Sequence, residues 1–330
     1  MSGAVGGRRE GGAPGGPATV VGGGVSGLTT ALELQERGRP VTLVTPEPPH
    51  HTTSVLAAAI WHPLLRRPDP VYLRRATTAL HRLTALSRRP AESGVRIRTL
   101  TEFSATSSEV PWWVREMSGD NLARPAPCPP GYAAAWTLPV PAVDADRYLA
   151  HLAERFAARG GRTEHRLVTD LAAEAGRTGA VVNCTGYGSA ALAGDRSLSL
   201  VRGVLLRCAK PEGLQGCWID GSDPRRPTYV IEREHDAVLG GTADPGLVAT
   251  TVPEETVADV LERCARLVPA AAGARVLEVR VGFRPTRGTV RVERDPYIPG
   301  LVHNYGHGAA GYTLSWGCAA DAADLLDKPH

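Results

Sequence analysis

The sequence predicts an α/β fold in which a Rossmann-like dinucleotide-binding domain is interleaved with a smaller, largely antiparallel β-sheet domain. Three observations carry this. A glycine-rich turn, GGGVSG at residues 22–27, stands between a β-branched run and a helical run. A second apolar strand, in GAVVNCTG at residues 179–186, ends in a small-residue turn, as the central strands of parallel sheets do. Finally, VRGVLLRCA, PTYVIERE and DAVLGGTA, all within residues 201–245, alternate with the two-residue period of antiparallel strands.

In chain order, residues 1–17 read as a flexible tail, rich in glycine and without an apolar signal core. A strand over Thr19–Val21, a helix over Ser26–Arg37 stopped by Gly38, and a strand over Val41–Val44 form a βαβ opening. Residues 71–90 read as an amphipathic helix with basic positions facing water, and residues 94–140 as strands and loops. An Asp-capped helix within residues 143–171 ends at Gly160-Gly161 and is followed by strand-like alternation. A helix over 253–267 covers the antiparallel strands, and a last strand, glycine-rich turn and helix close the chain. At 330 residues two domains are expected: the dinucleotide domain from 18–70, 140–200 and 282–330, the second from 71–139 and 201–281.

Composition excludes several classes. A net charge of +3 arises from scattered pairs such as Arg66-Arg67 and Arg74-Arg75 with acids interspersed, which suits a solvated surface and not nucleic acid. The six cysteines include no CxxC pair and sit mostly in apolar runs, so buried free thiols in a reducing, cytoplasmic compartment are expected, and neither disulfides nor zinc. No apolar run reaches the ~20 residues of a membrane span.

Gly22, Gly24 and Gly27 fall on GxGxxG between strand and helix. The first permits a tight turn, the second lets backbone approach a pyrophosphate, and the third lets helix and strand pack closely, with Gly23, Val25 and Ser26 completing the phosphate loop. The acid that would grip a ribose at the end of the second strand is missing: that strand runs into Thr45-Pro46, with Glu47 only afterwards. Thr45 or Glu47 is left to hold the ribose, which disfavours an NAD-dependent dehydrogenase but leaves FAD, whose ring offers a second anchor. Two stretches suit that anchor. HHTTSVLAAAIWHP, residues 50–63, brings Thr52, Thr53 and Ser54 to phosphate or ribose and small residues to a flat ring; HGAAGYT, residues 307–313, sets small residues at a helix start whose dipole favours negative charge. His303 and His307, spaced by four without a helix and lacking a carboxylate, read as structural, and no metal site is expected.

Taken in order from Ala18 onward, VVGGGVSGLTTALELQERG, TTSVLAAAIW, VVNCTG, PTYVIERE, VLGGTA, VGFRPTRGTVRVE and VHNYGHGAAGYTLSWG resemble the D-amino acid oxidase family of FAD enzymes, which is related to the D-aspartate oxidases. The resemblance implies an FAD-binding domain interleaved with a substrate domain. It also implies oxidation of a D-amino acid by hydride transfer from its α-carbon to flavin N5, giving the 2-oxo acid, ammonia and, with O2, hydrogen peroxide. Arg284 falls where the family binds the substrate carboxylate, Tyr229 where a tyrosine shares that task, and Ala309 where a backbone carbonyl receives the amine. Ala59 and Ile60 fall on the flavin face, and Val168, Gly308, Ala310, Gly311, Tyr312 and Thr313 complete the cofactor set that the resemblance implies. Arg225, Ala243 and Ala309 depart from the family's pattern. Neutral D-amino acids are the expected substrates; the alternatives are acidic D-amino acids received by Arg225 and Arg226, or an FAD-binding protein without turnover. The expected partners are a D-amino acid, O2 and a second copy in a homodimer, with no nucleic acid and no membrane.

Overall fold

The computed structural model describes residues 15–64, 68–118 and 123–328. Most of the expected tail, residues 1–14, and the Arg66-Arg67 pair lie outside the described residues. The chain opens with β1 (Ala18–Val21), α1 (Val25–Glu36) and β2 (Val41–Val44). Every residue of β1 is buried, because β1 lies between two parallel neighbours and helices cover it. Next come α2 (Pro70–Leu86), α3 (Pro90–Ser93), β3 (Val95–Ser104), α4 (Trp112–Ser118), β4 (Arg124–Ala126) and β5 (Ala134–Val143). After them follow α5 (Ala145–Ala158), β6 (Arg162–Glu164), α6 (Leu171–Thr178), β7 (Val181–Asn183) and α7 (Ser189–Leu192). The rest comprises β8 (Ser199–Ala209), β9 (Cys217–Asp220), β10 (Thr228–Glu232), β11 (Asp236–Gly240), β12 (Asp244–Pro245), α8 (Glu254–Leu267), β13 (Val276–Arg294), β14 (Leu301–His307) and α9 (Gly311–Asp327).

All strands join one mixed sheet in the order β4-β5-β3-β9-β10-β11-β8-β13-β14-β7-β1-β2-β6, with β12 beside β8. From β14 to β6 the pairings are parallel, and this half carries the glycine-rich turn after β1. From β4 to β13 they are antiparallel except between β3 and β9. The 19-residue β13 connects the halves: it pairs with β8 over its first part, shifts register between Thr286 and Arg291, and pairs with β14 beyond. The expected divisions after residues 139, 200 and 281 each fall inside a strand, β5, β8 and β13 respectively.

Three expectations are corrected. Within residues 94–140 a helix, α4, replaces part of the expected strand and loop; it buries Trp113 and Val114, and its 7 residues are too few to display a helical period. The alternation after Gly161 yields only the three residues of β6, because Arg166 turns back to bind both Glu164 (2.9 Å) and Glu174 (2.6 Å). Arg75 of α2 does not face water: its side chain is 13% exposed and donates to Asp321 of α9 at 2.7 Å. The approach is close because α9 carries Gly317 there, where a β-carbon would stand 2.2 Å from the Arg75 carbonyl oxygen. All six cysteines are free; five are buried, as expected, and Cys128 is exposed.

Candidate active site

The glycine loop is built by contacts that no β-carbon could share. At Gly22, whose φ is 112°, a β-carbon would lie 2.4 Å from the Cys184 carbonyl oxygen at the end of β7. At Gly27 it would lie 1.8 Å from the Gly22 oxygen, so α1 presses directly on the turn. Gly23 sits against the Thr45 hydroxyl and Gly24 against the Ser54 hydroxyl, at 2.8 and 3.0 Å from a notional β-carbon. Gly24 caps α1 without a side-chain hydrogen bond, and no acid occupies the first turn, so the positive end of the helix stays open to an anion around Ser26. These glycine contacts and the open helix end fit the pyrophosphate of a dinucleotide.

The segment at residues 49–64 straps this loop to the start of α9. The Val25 amide donates to Ser54 Oγ at 3.0 Å, and the Tyr312 hydroxyl donates to the Ser54 carbonyl at 2.8 Å. The Thr313 hydroxyl donates to the His62 carbonyl at 3.0 Å, and the His62 amide returns a bond at 3.2 Å. Thr52 donates to the Pro49 carbonyl at 2.7 Å, and Thr53 opens the short 3-10 turn that carries Ser54. Ala59, buried, adopts a left-handed φ of 55°, which turns the strap so that Ile60 bridges to Ala142. The sequence-predicted cofactor residues from the glycine loop, the strap and the start of α9 are thus brought together. Val168 stands apart, buried with Val21 and Val44 against β1 and β2.

Neither candidate for the ribose contact is free of other bonds. Thr45 is buried and its hydroxyl donates to the Glu47 carbonyl at 2.8 Å, while the exposed Glu47 carboxylate meets His51 at 3.0 Å.

Arg284, Tyr229 and the turn holding Ala309 converge on the junction of the two halves. Thr286 of β13 pairs with His307 of β14. The chain then leaves β14 in a 3-10 turn over Gly308–Ala310, and Gly308 sits against the Thr286 side chain, 3.2 Å from a notional β-carbon, so the turn lies against β13 two residues from Arg284. Ala309 is exposed beside the buried Ala310 and the first turn of α9 at Gly311. Arg284 Nη1 donates to the Thr242 carbonyl at 3.1 Å, and among the described residues no carboxylate pairs with it. Its guanidinium lies over Gly203, where a β-carbon would stand 2.4 Å from Nη2. Tyr229 reaches the same point along a glycine trough, Gly240 and Gly241, whose notional β-carbons would lie 2.3 and 2.7 Å from its hydroxyl. Burial pushes the Tyr229 pKa above its ordinary value, with the Arg284 cation opposing. The arrangement presents one unneutralised guanidinium and one phenol side by side, suited to a carboxylate.

Sequence reasoning missed the residues that aim this pair. Buried Arg202 binds Asp244 at 3.1 Å, Asp244 accepts from the Thr242 hydroxyl at 2.8 Å, and the Val204 amide donates to that hydroxyl at 3.1 Å. Thr242 is thereby fixed with its carbonyl toward Arg284. A second set stiffens the turn before Ala309: Asp195 accepts from Tyr305 (2.9 Å), Arg287 (3.0 Å) and Ser197 (2.6 Å). Burial would raise the Asp195 pKa, yet the Ser197 and Tyr305 hydrogen bonds and the Arg287 cation hold it well below the usual carboxylate range. Arg287 packs across Gly306, whose φ is 83°. The only sequence signal was the glycine count in VRGV, VLGGT and NYGHG.

Arg225, exposed, and Arg226 stand on a turn around Asp223, which accepts from the Arg225 amide at 2.9 Å; the Arg226 side chain is engaged by Asp259. The Arg225 carbonyl accepts from the Ala243 amide at 2.9 Å, so two of the three departures from the family pattern lie in one backbone contact beside Thr242. His303 is fully buried between Asn183 (3.2 Å) and Asp295 (3.0 Å), whereas among the described residues the His307 ring meets only Ser26, at 3.4 Å, and its Nε2 is buried without a partner. Among the described residues no cluster of ligand-type side chains is arranged for a metal, and no helix is long and apolar enough to cross a membrane.

A fold of this topology, with a glycine cradle at its parallel half and an unpaired arginine at its antiparallel half, defines a dinucleotide-dependent oxidoreductase. The family model described as FAD dependent oxidoreductase, DAO, matches residues 18–325, and the chain belongs to that family. It is 41% identical over 312 residues to a D-amino-acid oxidase of Rubrobacter xylanophilus, covering 93% of this chain and 95% of the relative. To a D-amino-acid oxidase of Streptomyces coelicolor it is 42% identical over 319 residues, covering 94% and 96%. A glycine oxidase from Geobacillus kaustophilus shares the fold with a TM-score of 0.78 at 21% identity, each chain covered to 94%.

Proposed function

We propose that the chain oxidises neutral D-amino acids to 2-oxo acids, with FAD as cofactor and O2 as final acceptor. The observation that carries this is Arg284, a guanidinium without a carboxylate partner, laid over Gly203 beside the Tyr229 hydroxyl. Family membership and the two D-amino-acid oxidase relatives support the same reading.

In this reading Gly22, Gly23, Gly24, Val25, Ser26 and Gly27 hold the pyrophosphate, Thr52, Thr53 and Ser54 reach phosphate or ribose, and Glu47 or Thr45 meets the adenosine ribose near Val168. Ala59, Ile60, Gly308, Ala310, Gly311, Tyr312 and Thr313 frame the ring. When bound, FAD supplies the two-electron sink that takes the α-hydrogen with its electron pair and passes both electrons to O2. The chain's own contribution is orientation. Arg284 grips both oxygens of the substrate carboxylate, Tyr229 donates to one of them, and the Ala309 carbonyl accepts from the amine, which reacts in its neutral form. Three fixed directions at the α-carbon select one enantiomer. Once the α-hydrogen has left, the nitrogen lone pair completes the C=N bond, the amine sheds a proton, and water hydrolyses the imino acid to the 2-oxo acid and ammonia. The free thiols, five of them buried, support a reducing, cytoplasmic setting.

The test is the visible spectrum of the flavin-loaded protein without oxygen. Bleaching of the flavin band by D-alanine or D-methionine but not by L-enantiomers supports the reading; bleaching by D-aspartate alone shifts it to acidic substrates, and a flavin that no amino acid reduces overturns it. The engagement of Arg226 by Asp259 favours neutral substrates.

A further inference from the structure

A cavity of about 20 Å3 lies where the start of α5 meets the antiparallel half of the sheet, and it shares no lining residue with the glycine cradle or with the Arg284 and Tyr229 pair. Four arginines line it: Arg96 and Arg98 of β3, Arg147 of α5, and Arg233 in the turn after β10. Arg96 and Arg98, two apart on a strand, face the same side of the sheet. Gly94 lets α5 close on them, since a β-carbon there would stand 3.0 Å from Arg147 Cβ.

Three acids share the lining, and each is answered. Glu232 accepts from Lys210 Nζ at 2.6 Å and from the Gly216 amide at 2.7 Å, with Arg98 Nη2 3.3 Å away. Glu234 pairs with Arg96, and Asp144 caps α5 by accepting from the Arg147 amide at 3.4 Å. Four guanidiniums and Lys210 thus stand against three carboxylates. Among the described residues no carboxylate lies within ion-pairing distance of the Arg147 or Arg233 side chain; Arg147 acts on Glu234 only at longer range. Arg233, 6% exposed, makes one side-chain hydrogen bond, from Nη2 to the Ala57 carbonyl at 3.2 Å. Its Nε, like that of Arg98, is buried without a partner. Buried charges are ordinarily paired, and a guanidinium cannot shed its proton to escape the cost. A water would satisfy these N–H groups but not the charge.

We propose that this cavity binds one halide ion, chloride in ordinary media, between Arg147 and Arg233, with the Nε–H groups of Arg233 and Arg98 donating to it. Size selects the class: about 10–15 Å3 is enough for one water-sized sphere, so the space suits a single-atom anion and not a sulfate or phosphate. The ion supplies the missing negative charge and fixes the Arg233 guanidinium. Through the bond to the Ala57 carbonyl it braces the strap two residues before the left-handed turn at Ala59.

The test follows thermal unfolding in excess FAD while potassium chloride replaces potassium gluconate at constant ionic strength. Once the site fills, uptake of one ion by the folded chain raises the wild-type midpoint by about 2 °C per tenfold increase in chloride. In Arg147→Gln, which removes one of the two unpaired charges, that rise falls by half or more over the same range. A midpoint indifferent to chloride, or a rise that the substitution leaves unchanged, overturns the site. Crystals of the wild-type protein grown in sodium bromide give a second reading that needs no variant: an anomalous peak between Arg147 and Arg233 supports the site, and a cavity holding only water overturns it. A bromide peak there without any chloride dependence of unfolding marks an adventitious ion only and overturns it too.

Discussion

The guanidinium of Arg284 lies across the α-carbon of Gly203, so close that a β-carbon there would stand 2.4 Å from Nη2. The two residues sit on adjacent strands, with Gly203 facing Gly282 and Arg284 two positions beyond. A glycine on β8 thereby sets the position of an arginine on β13. Gly203→Ala therefore displaces the guanidinium without touching the cofactor loop. The expected result is a loss of about 10–100-fold in kcat/KM for a D-amino acid, mainly through KM, as for a weakened charge-assisted pair of about 1.5–3 kcal/mol. Flavin content stays at the wild-type level. Steady-state kinetics with a flavin absorbance ratio check this, and an unchanged KM refutes it.

Arg284→Lys keeps the charge and loses the fork. Because the site holds two donors against one carboxylate, an ammonium cannot reproduce the geometry, nor can it keep its bond to the Thr242 carbonyl at 3.1 Å. About a hundredfold fall in kcat/KM is expected, with the flavin spectrum of the resting protein unchanged. Stopped-flow reduction at several substrate concentrations measures it. A variant within threefold of wild type would show that the carboxylate binds elsewhere.

What the sequence displayed, and what it did not, follows from how local each signal is. The βαβ opening was legible because Gly22, Gly24 and Gly27 sit within one turn whose backbone demands are local. Arg284 and Tyr229 were singled out through short motifs shared with the family, and the structure sets them side by side. The Arg202, Asp244 and Thr242 relay was not, because its members carry ordinary strand and turn spacings and meet only when β8 folds against the segment after β11. Gly203 looked like any strand glycine until Arg284 occupied the missing side chain's place. The inward turn of Arg75 was likewise invisible, since it depends on Gly317 some 240 residues away. Side-chain contacts across such separations leave no period in the sequence.

Gly27→Ala tests the nucleotide cradle. The new β-carbon would lie 1.8 Å from the Gly22 carbonyl oxygen, a backbone atom that no rotamer change can move. Overpacking of this kind costs about 1–3 kcal/mol, and the turn must open to relieve it. In thermal unfolding, FAD at about a thousandfold its Kd stabilises the wild type by about 4 kcal/mol. The variant is expected to melt lower without FAD and to gain little from its addition. A variant with full FAD-dependent stabilisation would place the pyrophosphate away from this turn.

His307 predicts how stability depends on pH. Burial lowers its pKa to about 4, and among the described residues its Nε2 has no partner to offset the cost of charging the ring. The unfolded chain titrates near the ordinary value of about 6.5, so above that pH both states are neutral there and His307 contributes nothing to the slope. As pH falls from about 6.5 to 4, the unfolded state takes up a proton that the folded state refuses, and stability declines, by at most about 3 kcal/mol. Buried His303, whose pKa is also lowered by burial, acts in the same direction. Denaturant unfolding at intervals across this range should therefore show falling stability toward acid, with a slope that loses up to one proton in His307→Gln. The glutamine keeps the polar contact toward Ser26, which His307 approaches at 3.4 Å, and removes only the titration. An identical slope in variant and wild type would mean that the ring is already charged, or already paired, when the chain is folded.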